Sequence, residues 1–386
     1  MRQSKSRFAR VAAAIGLTAV MSFGLAACSS DGGSGGGSGA GAAASGEGSG
    51  SLEGGGQTIV MFMPSTATIY QSDEAASVKA EAEELGFEVK IFENKTDQTE
   101  QDQQVQQFIA TGEVPAAFIW WPSNSQAGIN SSRLLSQIAP VFQVNQSVLP
   151  EGEEYITAYA GVRAYGIGET AGDMLEAARE EALAAGKQLN SEEGNLIEIT
   201  FPAGYQSGID RHDGMLASTE DAPFNLLASE PTAAGFDSQG AFDIASQVIP
   251  KFSSEGIDFV FAQNLSMAAG VVTALEQNGL TPGEDVWVIA GNDAGDKTPL
   301  LNGQVYSAVI QSPVVEGKLI IQTVAKYLAS GEVTDDVVNL ELEATEPELT
   351  ADAPAKTTYM PNPPIRLADI EGFEFWGLSY EELGSQ

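Results

Sequence analysis

Short apolar runs alternate with longer helical patterns from residue 57 onward, and this alternation limits the folds that the chain can adopt. Runs that predict strands occupy residues 58–63, 87–92, 116–121, 140–144, 195–201, 224–228, 257–262, 286–290 and 305–310. Helical patterns lie between them, at 72–85, 102–110, 123–138, 165–185, 210–218, 241–252, 267–277 and 314–328. Continuous apolar strands connected by helices are typical of parallel sheets that are covered on both faces. Because the pattern restarts with the helix at 165–185, the sequence predicts an α/β fold with two βα halves.

Residues 1–27 have the composition of a secretory signal. Four basic residues and no acidic residue accompany an apolar run that is shorter, and richer in Ala and Gly, than a typical membrane-spanning helix. The run ends in Leu-Ala-Ala-Cys28, which resembles the bacterial lipobox, in which the cysteine thiol is diacylglycerylated. The alternative is a buried structural cysteine at the end of an apolar run. We expect lipidation at Cys28, with residues 28–56 as a flexible Gly/Ser linker.

The charge balance and the scarcity of His and Cys exclude several classes of function. The chain has 53 acidic and 18 basic residues, a net charge of −35, whereas a nucleic-acid binder needs basic stripes. With one cysteine and one histidine, His212, neither a multi-thiolate nor a His-rich metal site is possible. The segment 204–208 has the spacing G-x-x-S-G, which differs from the G-x-S-x-G of a nucleophile elbow. We therefore predict a protein that is not an enzyme and needs no cofactor or metal.

Polar and aromatic residues follow the predicted strands almost throughout. They lie at 64–70, 120–124, 145–146, 204–211, 264 and 292–293. Ligands of open parallel sheets bind at the carboxyl ends of the strands, where the following loops converge. Aromatic rings pack on the C–H faces of a sugar, and Asn, Asp and Arg side chains hydrogen-bond its hydroxyls. The pattern favours a sugar-like ligand.

Six segments at these positions resemble the solute-binding proteins of sugar ABC importers, of the ribose- and galactose-binding type. They are QQVQQFIATGEVPAAFIWWP, PVFQVNQS, AGYQSGIDRHDG, GIDFVFAQNLSMAAGVVTALEQNGL, VWVIAGNDAGD and NGQVYSAVIQSPVVEG. This resemblance to periplasmic binding proteins of type I covers residues 58–342. It implies two Rossmann-like lobes with parallel sheets, joined by a three-segment hinge near Ala158, Gln311 and Glu343. The N-terminal lobe then comprises 57–158 and 311–343, the C-terminal lobe 159–310, and the last crossing segment and tail 344–386.

The resemblance also implies a ligand site to which both lobes contribute. Its residues are Tyr70, Asn145, Arg211, Phe236, Asn264, Asp293 and Gln311. Structural alternatives exist: the two aromatic side chains could pack in the core, the arginine could form a surface ion pair, and Asn264 and Asp293 could cap a helix or turn. One arginine and one carboxylate suit a neutral polyol. The identity of the sugar stays open, because Leu265 stands where the family usually has Asp.

By this resemblance the chain is an exported bacterial protein, lipid-anchored through Cys28 on the outer face of the cell membrane. It would capture a sugar or polyol between its lobes as a monomer and deliver it to the permease of an ABC importer. A ligand-sensing receptor of the same fold, coupled to a signalling partner, is an alternative that the sequence leaves open. The tail aromatics, from Phe373 to Tyr380, would either pack along the back of a lobe or meet a partner.

Overall fold

Two six-stranded sheets and one two-stranded sheet are formed by the residues that the computed structural model describes, 52–233, 235–333 and 356–384. The strands are β1 (Thr58–Met63), β2 (Glu88–Glu93), β3 (Ala117–Trp120), β4 (Val141–Gln143), β5 (Ala158–Val162), β6 (Asn195–Thr200), β7 (Asn225–Pro231), β8 (Phe259–Ala262), β9 (Trp287–Ala290), β10 (Ser307–Val309), β11 (Thr357–Met360), β12 (Pro364–Ile365), β13 (Glu374–Phe375) and β14 (Leu378–Ser379). The α-helices are α1 (Ile69–Glu84), α2 (Gln98–Thr111), α3 (Ile129–Ser136), α4 (Ala164–Ala184), α5 (Gln206–Ser218), α6 (Ser238–Val248), α7 (Leu265–Gln277), α8 (Thr298–Leu301) and α9 (Pro313–Ser330).

The first sheet has the order β11-β5-β4-β3-β1-β2 and is parallel throughout. The second has the order β12-β10-β9-β8-β6-β7 and is parallel except for β12, which pairs antiparallel with β10. We call the two sheets, with their helices, the first and the second lobe. The predicted α/β fold with two parallel-sheet lobes is therefore confirmed, with one antiparallel edge strand that was not expected.

Helices cover the sheets because the strands are apolar on both faces. In β1, Met61 and Met63 belong to one buried cluster, whereas Val60 and Phe62 belong to another on the opposite face. Helices α1 and α9 pack together on the first lobe, and α2 contacts α3 and β1. In the second lobe α4 packs on α5, and α6 packs on α7. The described residues belong to one compact unit, and none of their helices is long and apolar enough to span a membrane.

Within the described residues three connections pass between the lobes, and two of them lie elsewhere than expected. A crossing was expected near Ala158 with no strand there, but β5 is fully buried and pairs with β4 and β11. The first crossing therefore follows Val162. The second follows β10, close to Gln311 as expected. Glu343 lies outside the described residues, and the third crossing that the structure describes runs from β11 to β12 at 361–363.

The helix boundaries shift where polar side chains set the first turn. Helix α2 begins four residues before the predicted 102 because the Asp97 carboxylate accepts hydrogen bonds from the Thr99 and Glu100 N–H groups. Helix α3 begins at Ile129 and not at 123, because residues 123–128 form turns; there Gln101 accepts from the Ser123 N–H at 3.0 Å.

The segments at both ends of the folded region contact the lobes. The last linker residues are not detached: the Gly54 and Gly56 N–H groups donate to the carbonyls of Leu85 and Gly86. In the tail, β11 extends the first sheet and β12 extends the second. The side chains of Phe375, Trp376, Tyr380 and Leu383 are buried. Of the two roles expected for the tail aromatics, packing against the fold is the one observed.

Candidate functional site

A cavity lies between the lobes, at the carboxyl ends of strands from both sheets. Its walls come from the segments that follow β1, β3, β4, β6, β7, β8, β9 and β10. The lining residues are Thr68, Ile69, Tyr70, Gln71, Trp121, Asn145, Phe201, Tyr205, Ser207, Arg211, Phe236, Asn264, Ser266, Asn292, Ala294, Gly295 and Gln311. The cavity lies where ligands of open parallel sheets bind.

Six of the seven residues expected at the ligand site line this cavity, and Asp293 does not. The carboxylate of Asp293 instead accepts a hydrogen bond from the Gln311 N–H at 3.0 Å, and burial raises its pKa to about 6. Its neighbour Asn292 lines the cavity and donates from Nδ2 to Gln311 Oε1 at 2.8 Å. Asp293 thus holds the backbone of Gln311 and is not among the lining residues, and its expected contact with a ligand stays a prediction.

Arg211 is buried in the second lobe and points its guanidinium group toward the hinge. Nη2 donates to Gln311 Oε1 at 2.7 Å, Nη1 donates to the Gln263 carbonyl, and the group lies 4.8 Å from the centroid of the Phe201 ring. Burial lowers its pKa to about 10, so that it stays charged at neutral pH. Among the described residues its Nε has no hydrogen-bond partner, nor has the hydroxyl of Ser207. Both groups keep hydrogen-bonding capacity at a buried site that lines a cavity.

Gln311 connects the lobes because it lies on the second crossing. Its Nε2 donates to the Tyr70 hydroxyl at 2.8 Å, while its Oε1 accepts from the arginine and from Asn292. Tyr70 in turn donates to the Glu316 carboxylate, and burial raises the Tyr70 pKa well above its ordinary value. Asn145 has a left-handed backbone, with φ of 66°, and donates from Nδ2 to the same Glu316 oxygen at 3.2 Å. One hydrogen-bonded network therefore contacts both lobes.

Aromatic rings form two walls of the cavity. On the first lobe, Tyr70 and Trp121 meet edge to face with ring centroids 6.3 Å apart. On the second, Phe236 lies 5.0 Å from Phe201 and 4.8 Å from Tyr205. The expected stacking aromatic at Phe236 is therefore part of a larger cluster.

Strand alternation separates the two neighbouring tryptophans, as the sequence implied. Trp121 lines the cavity, whereas Trp120 packs with Phe62 in the core of the first lobe. Trp121 also contacts the second lobe, because its Nε1 donates to the Tyr205 hydroxyl at 3.4 Å.

Asn264 lines the cavity but also caps α7. Its Oδ1 accepts from the Met267 N–H at 2.6 Å, and its Nδ2 donates to the Phe236 carbonyl at 2.9 Å. The cap that was considered as an alternative is therefore present, and the side chain stays at the cavity wall.

Direct contacts hold the lobes together beside the cavity. The Ser147 hydroxyl donates to Asp210 at 2.6 Å, and Asn124 donates to the Gly204 carbonyl at 3.3 Å. Together with the hydrogen bond from Trp121 to Tyr205, these bonds hold the lobes closed on one another.

The chemistry available for catalysis is sparse in the described part of the chain. His212 lies 2.6 Å from the buried Glu198 carboxylate, which raises the pKa of the imidazole, and the Ser207 hydroxyl has no partner there. No nucleophile and base are thus hydrogen-bonded to each other at these positions. Among the described residues no group of three or more His, Cys, Asp or Glu side chains could hold a metal ion.

The lining residues Phe201 and Ser266 lie outside the segments expected at the ligand site, although each is next to such a segment or a predicted strand end. Tyr205 and Ser207 lie within the expected segment 204–211 but were not among the seven named ligand contacts. The sequence alone could not show whether Asn292 or its neighbour Asp293 faces the cavity, because this depends on the conformation of the loop.

Comparison with known proteins agrees with this geometry. The chain is 24% identical over 277 residues to the galactofuranose-binding protein YtfQ of Escherichia coli (strain K12), covering 69% of this chain and 80% of that protein. It is 24% identical over 293 residues to the fructose import binding protein FruE of Bifidobacterium longum (strain NCC 2705), covering 74% and 84%.

A solved structure with the same fold is the binding component of the arabinose ABC transporter of Shewanella sp. ANA-3, bound to α- and β-L-arabinofuranose. It superposes with a TM-score of 0.65 at 18% identity, covering 81% of this chain and 92% of that one. The family described as periplasmic binding protein domain matches residues 59–332, which is most of the chain. The protein therefore belongs to the periplasmic binding protein family.

Proposed function

We propose that this protein captures a neutral sugar or sugar-like polyol in the cavity between its lobes. The observation that carries the proposal is the cavity lining, in which aromatic and amide side chains surround a single charged residue, Arg211. Among the described residues the lining holds one cation and no carboxylate, so the site offers a polyol hydrogen bonds without demanding a charge on the ligand.

The side chains suit the two surfaces of a sugar. The rings of Tyr70, Trp121 and Phe236 offer apolar faces for C–H groups, whereas Asn145, Gln311 and Asn292 offer amide groups for hydroxyls. The Arg211 Nε and the Ser207 hydroxyl lack partners among the described residues, so a ligand hydroxyl can satisfy them. The relatives named above bind galactofuranose, fructose and arabinofuranose by their own descriptions, which supports the same ligand class here.

The same proposal includes transport. The secretory pattern of residues 1–27 and the lipobox-like Leu-Ala-Ala-Cys28 support export and lipid anchoring on the outer face of the cell membrane; both segments lie outside the described residues. Sugar binding favours the closed arrangement, because only that state offers contacts from both lobes. The closed monomer then delivers its sugar to the permease of an ABC importer, without catalysis.

A thermal-shift panel tests the proposal. Purified protein is heated with D-galactose, L-arabinose, D-fructose, myo-inositol, a sugar acid or individual amino acids. A neutral sugar present at about 100 times its dissociation constant should stabilise the fold by about 2.7 kcal/mol. Stabilisation by amino acids alone would contradict the sugar assignment.

A further inference from the structure

Glu316 lies behind the cavity wall, in the first turn of α9, and contacts residues that line the cavity. Its Oε2 accepts hydrogen bonds from the Tyr70 hydroxyl and from Asn145 Nδ2, the latter at 3.2 Å. Its Oε1 accepts from the N–H of Val162, next to the first crossing, at 3.2 Å. Glu316 is fully buried and does not line the cavity. It can therefore affect a ligand only through Tyr70, Asn145 and the hinge.

The directions of the hydrogen bonds follow from Arg211, which can only donate. The Gln311 atom that faces the guanidinium group must therefore be the carbonyl Oε1, and the amide Nε2 must face Tyr70. Since Nε2 donates to the Tyr70 hydroxyl, the single hydroxyl proton of Tyr70 is donated onward to Glu316. Glu316 then accepts from three donors, which is the pattern of an ionised carboxylate.

Glu74 lies one helical turn after Tyr70 on α1, on the side of that helix from which Tyr70 contacts Glu316 of the adjacent α9. It is fully buried, and neither of its oxygens meets a donor among the described residues. A second charge beside Glu316 would be buried and unpaired, which is costly. A neutral Glu74 instead has one O–H to donate, and Glu316 has lone pairs to accept it. Burial, and then the charge of Glu316, accordingly raise the pKa of Glu74 well above its ordinary value.

We propose that Glu74 and Glu316 form a carboxyl pair that shares one proton at the hinge, and that the pair positions Tyr70 and Asn145 for the ligand. In this pair neutral Glu74 donates to ionised Glu316. This inference rests on the proposed function, because it takes Tyr70 and Asn145 as sugar contacts. Glu74 and Glu316 are positioning residues and do not touch the sugar themselves.

The groups that interact electrostatically with the pair come from several elements. They are Tyr70 on α1, Tyr159 on β5, Tyr205 at the start of α5 and Arg211 within α5. Burial raises the pKa of each tyrosine, so all three are neutral when Glu74 titrates. Arg211 is the cation of the set and balances the single charge of the pair.

The pH dependence has a defined sign. The pKa of Glu74 is higher in the folded protein than in the unfolded chain, so its favourable contribution is present at acidic pH and is lost as the pH rises through the folded value. Loss of the proton leaves two carboxylates in one buried site. We therefore expect stability to fall as the pH rises from the unfolded pKa of Glu74 through its folded pKa, and sugar affinity to fall as the pH passes the folded pKa.

The test compares three glutamine variants with the wild type between about pH 5 and about pH 9. They are E74Q, E316Q and E84Q; Glu84 is exposed on the same helix as Glu74 and serves as the matched control. Melting temperatures are measured without ligand, and affinities are measured by calorimetry with L-arabinose and with D-fructose. Because E74Q supplies a donor that cannot ionise, its melting temperature should rise relative to the wild type as the pH increases. The sugar affinity of E74Q should also lose the decline with rising pH that is expected of the wild type.

E316Q should bind about tenfold more weakly at neutral pH, since its single amide oxygen cannot serve three donors. E84Q should follow the wild type in both measurements. A pH-independent difference between E74Q and the wild type would overturn the shared proton, and wild-type affinity in E316Q would overturn the positioning role. If E316Q does not fold, the pH profile of sugar affinity in E74Q tests the positioning role instead.

The two proposals fail differently. If neither L-arabinose nor D-fructose binds the wild type, the result counts against the sugar proposal. The ligand-free melting series still tests the carboxyl pair in that case.

Discussion

Replacing Arg211 with alanine is expected to weaken sugar binding strongly. Arg211 is the one charged residue among the described residues that line the cavity, its Nε has no partner there, and its Nη2 orients Gln311. A hydrogen bond from a charged group contributes about 1.5–3 kcal/mol, so affinity should fall roughly 10- to 150-fold. Gln311 keeps its bond from Asn292 in the variant, whereas the Gln263 carbonyl loses its donor, so a lower melting temperature is expected together with the weaker affinity.

Isothermal titration with the sugar that stabilises the wild type most gives the affinity, and Arg179→Ala is the matched control. Arg179 is also a partly buried arginine; it donates to the Glu193 and Ala222 carbonyls at 3.0 and 2.8 Å, away from the cavity. This control should lower the melting temperature without changing affinity. Less than a threefold loss for R211A, or an equal loss for R179A, would refute the assignment of Arg211 to the sugar.

Three further predictions concern closure, stability and pH. Ser147→Ala removes a bond between the lobes and should cost about 0.5–1.5 kcal/mol of sugar affinity by calorimetry; an unchanged affinity would argue against closure on binding. Asp258→Ala leaves the buried N–H of Asn195 without its acceptor and should lower the free energy of unfolding in urea by at least about 1–3 kcal/mol. Burial raises the pKa of Asp293 to about 6, so the folded protein loses stability as the pH rises from the unfolded pKa of this carboxyl through about 6. The melting temperature of Asp293→Asn should therefore rise relative to that of the wild type over this range and then keep a constant difference. A difference in melting temperature that does not change with pH would contradict the prediction.

Much of the fold could be predicted because the strands of both sheets are short apolar runs between helices. Strand β5 was missed because Ala158-Tyr159-Ala160-Gly161-Val162 is rich in small residues with weak strand preference. It forms because β4 and β11 pair with it on both edges. Strands β11 and β12 were missed because their partners lie far away in the sequence.

The site was predictable in position but not in detail. The rule that ligands bind at strand ends pointed to Tyr70 and Arg211, and the family resemblance added Gln311. These three residues are distant in sequence and share one network. Sequence could not show that Asn292 and not Asp293 faces the cavity, since this depends on the loop conformation. Glu316 was equally hidden, because a glutamate in the first turn of a helix is ordinary until its burial is known.

The central claim is that one neutral sugar binds between the lobes through the lining residues. Calorimetric titration of wild-type protein and of R211A with the same neutral sugar tests it most directly. We predict one saturable site per chain in the wild type and a weakening of roughly 10- to 150-fold in R211A. Saturable binding of amino acids with no response to any neutral sugar, or equal sugar affinity in both proteins, would contradict the account.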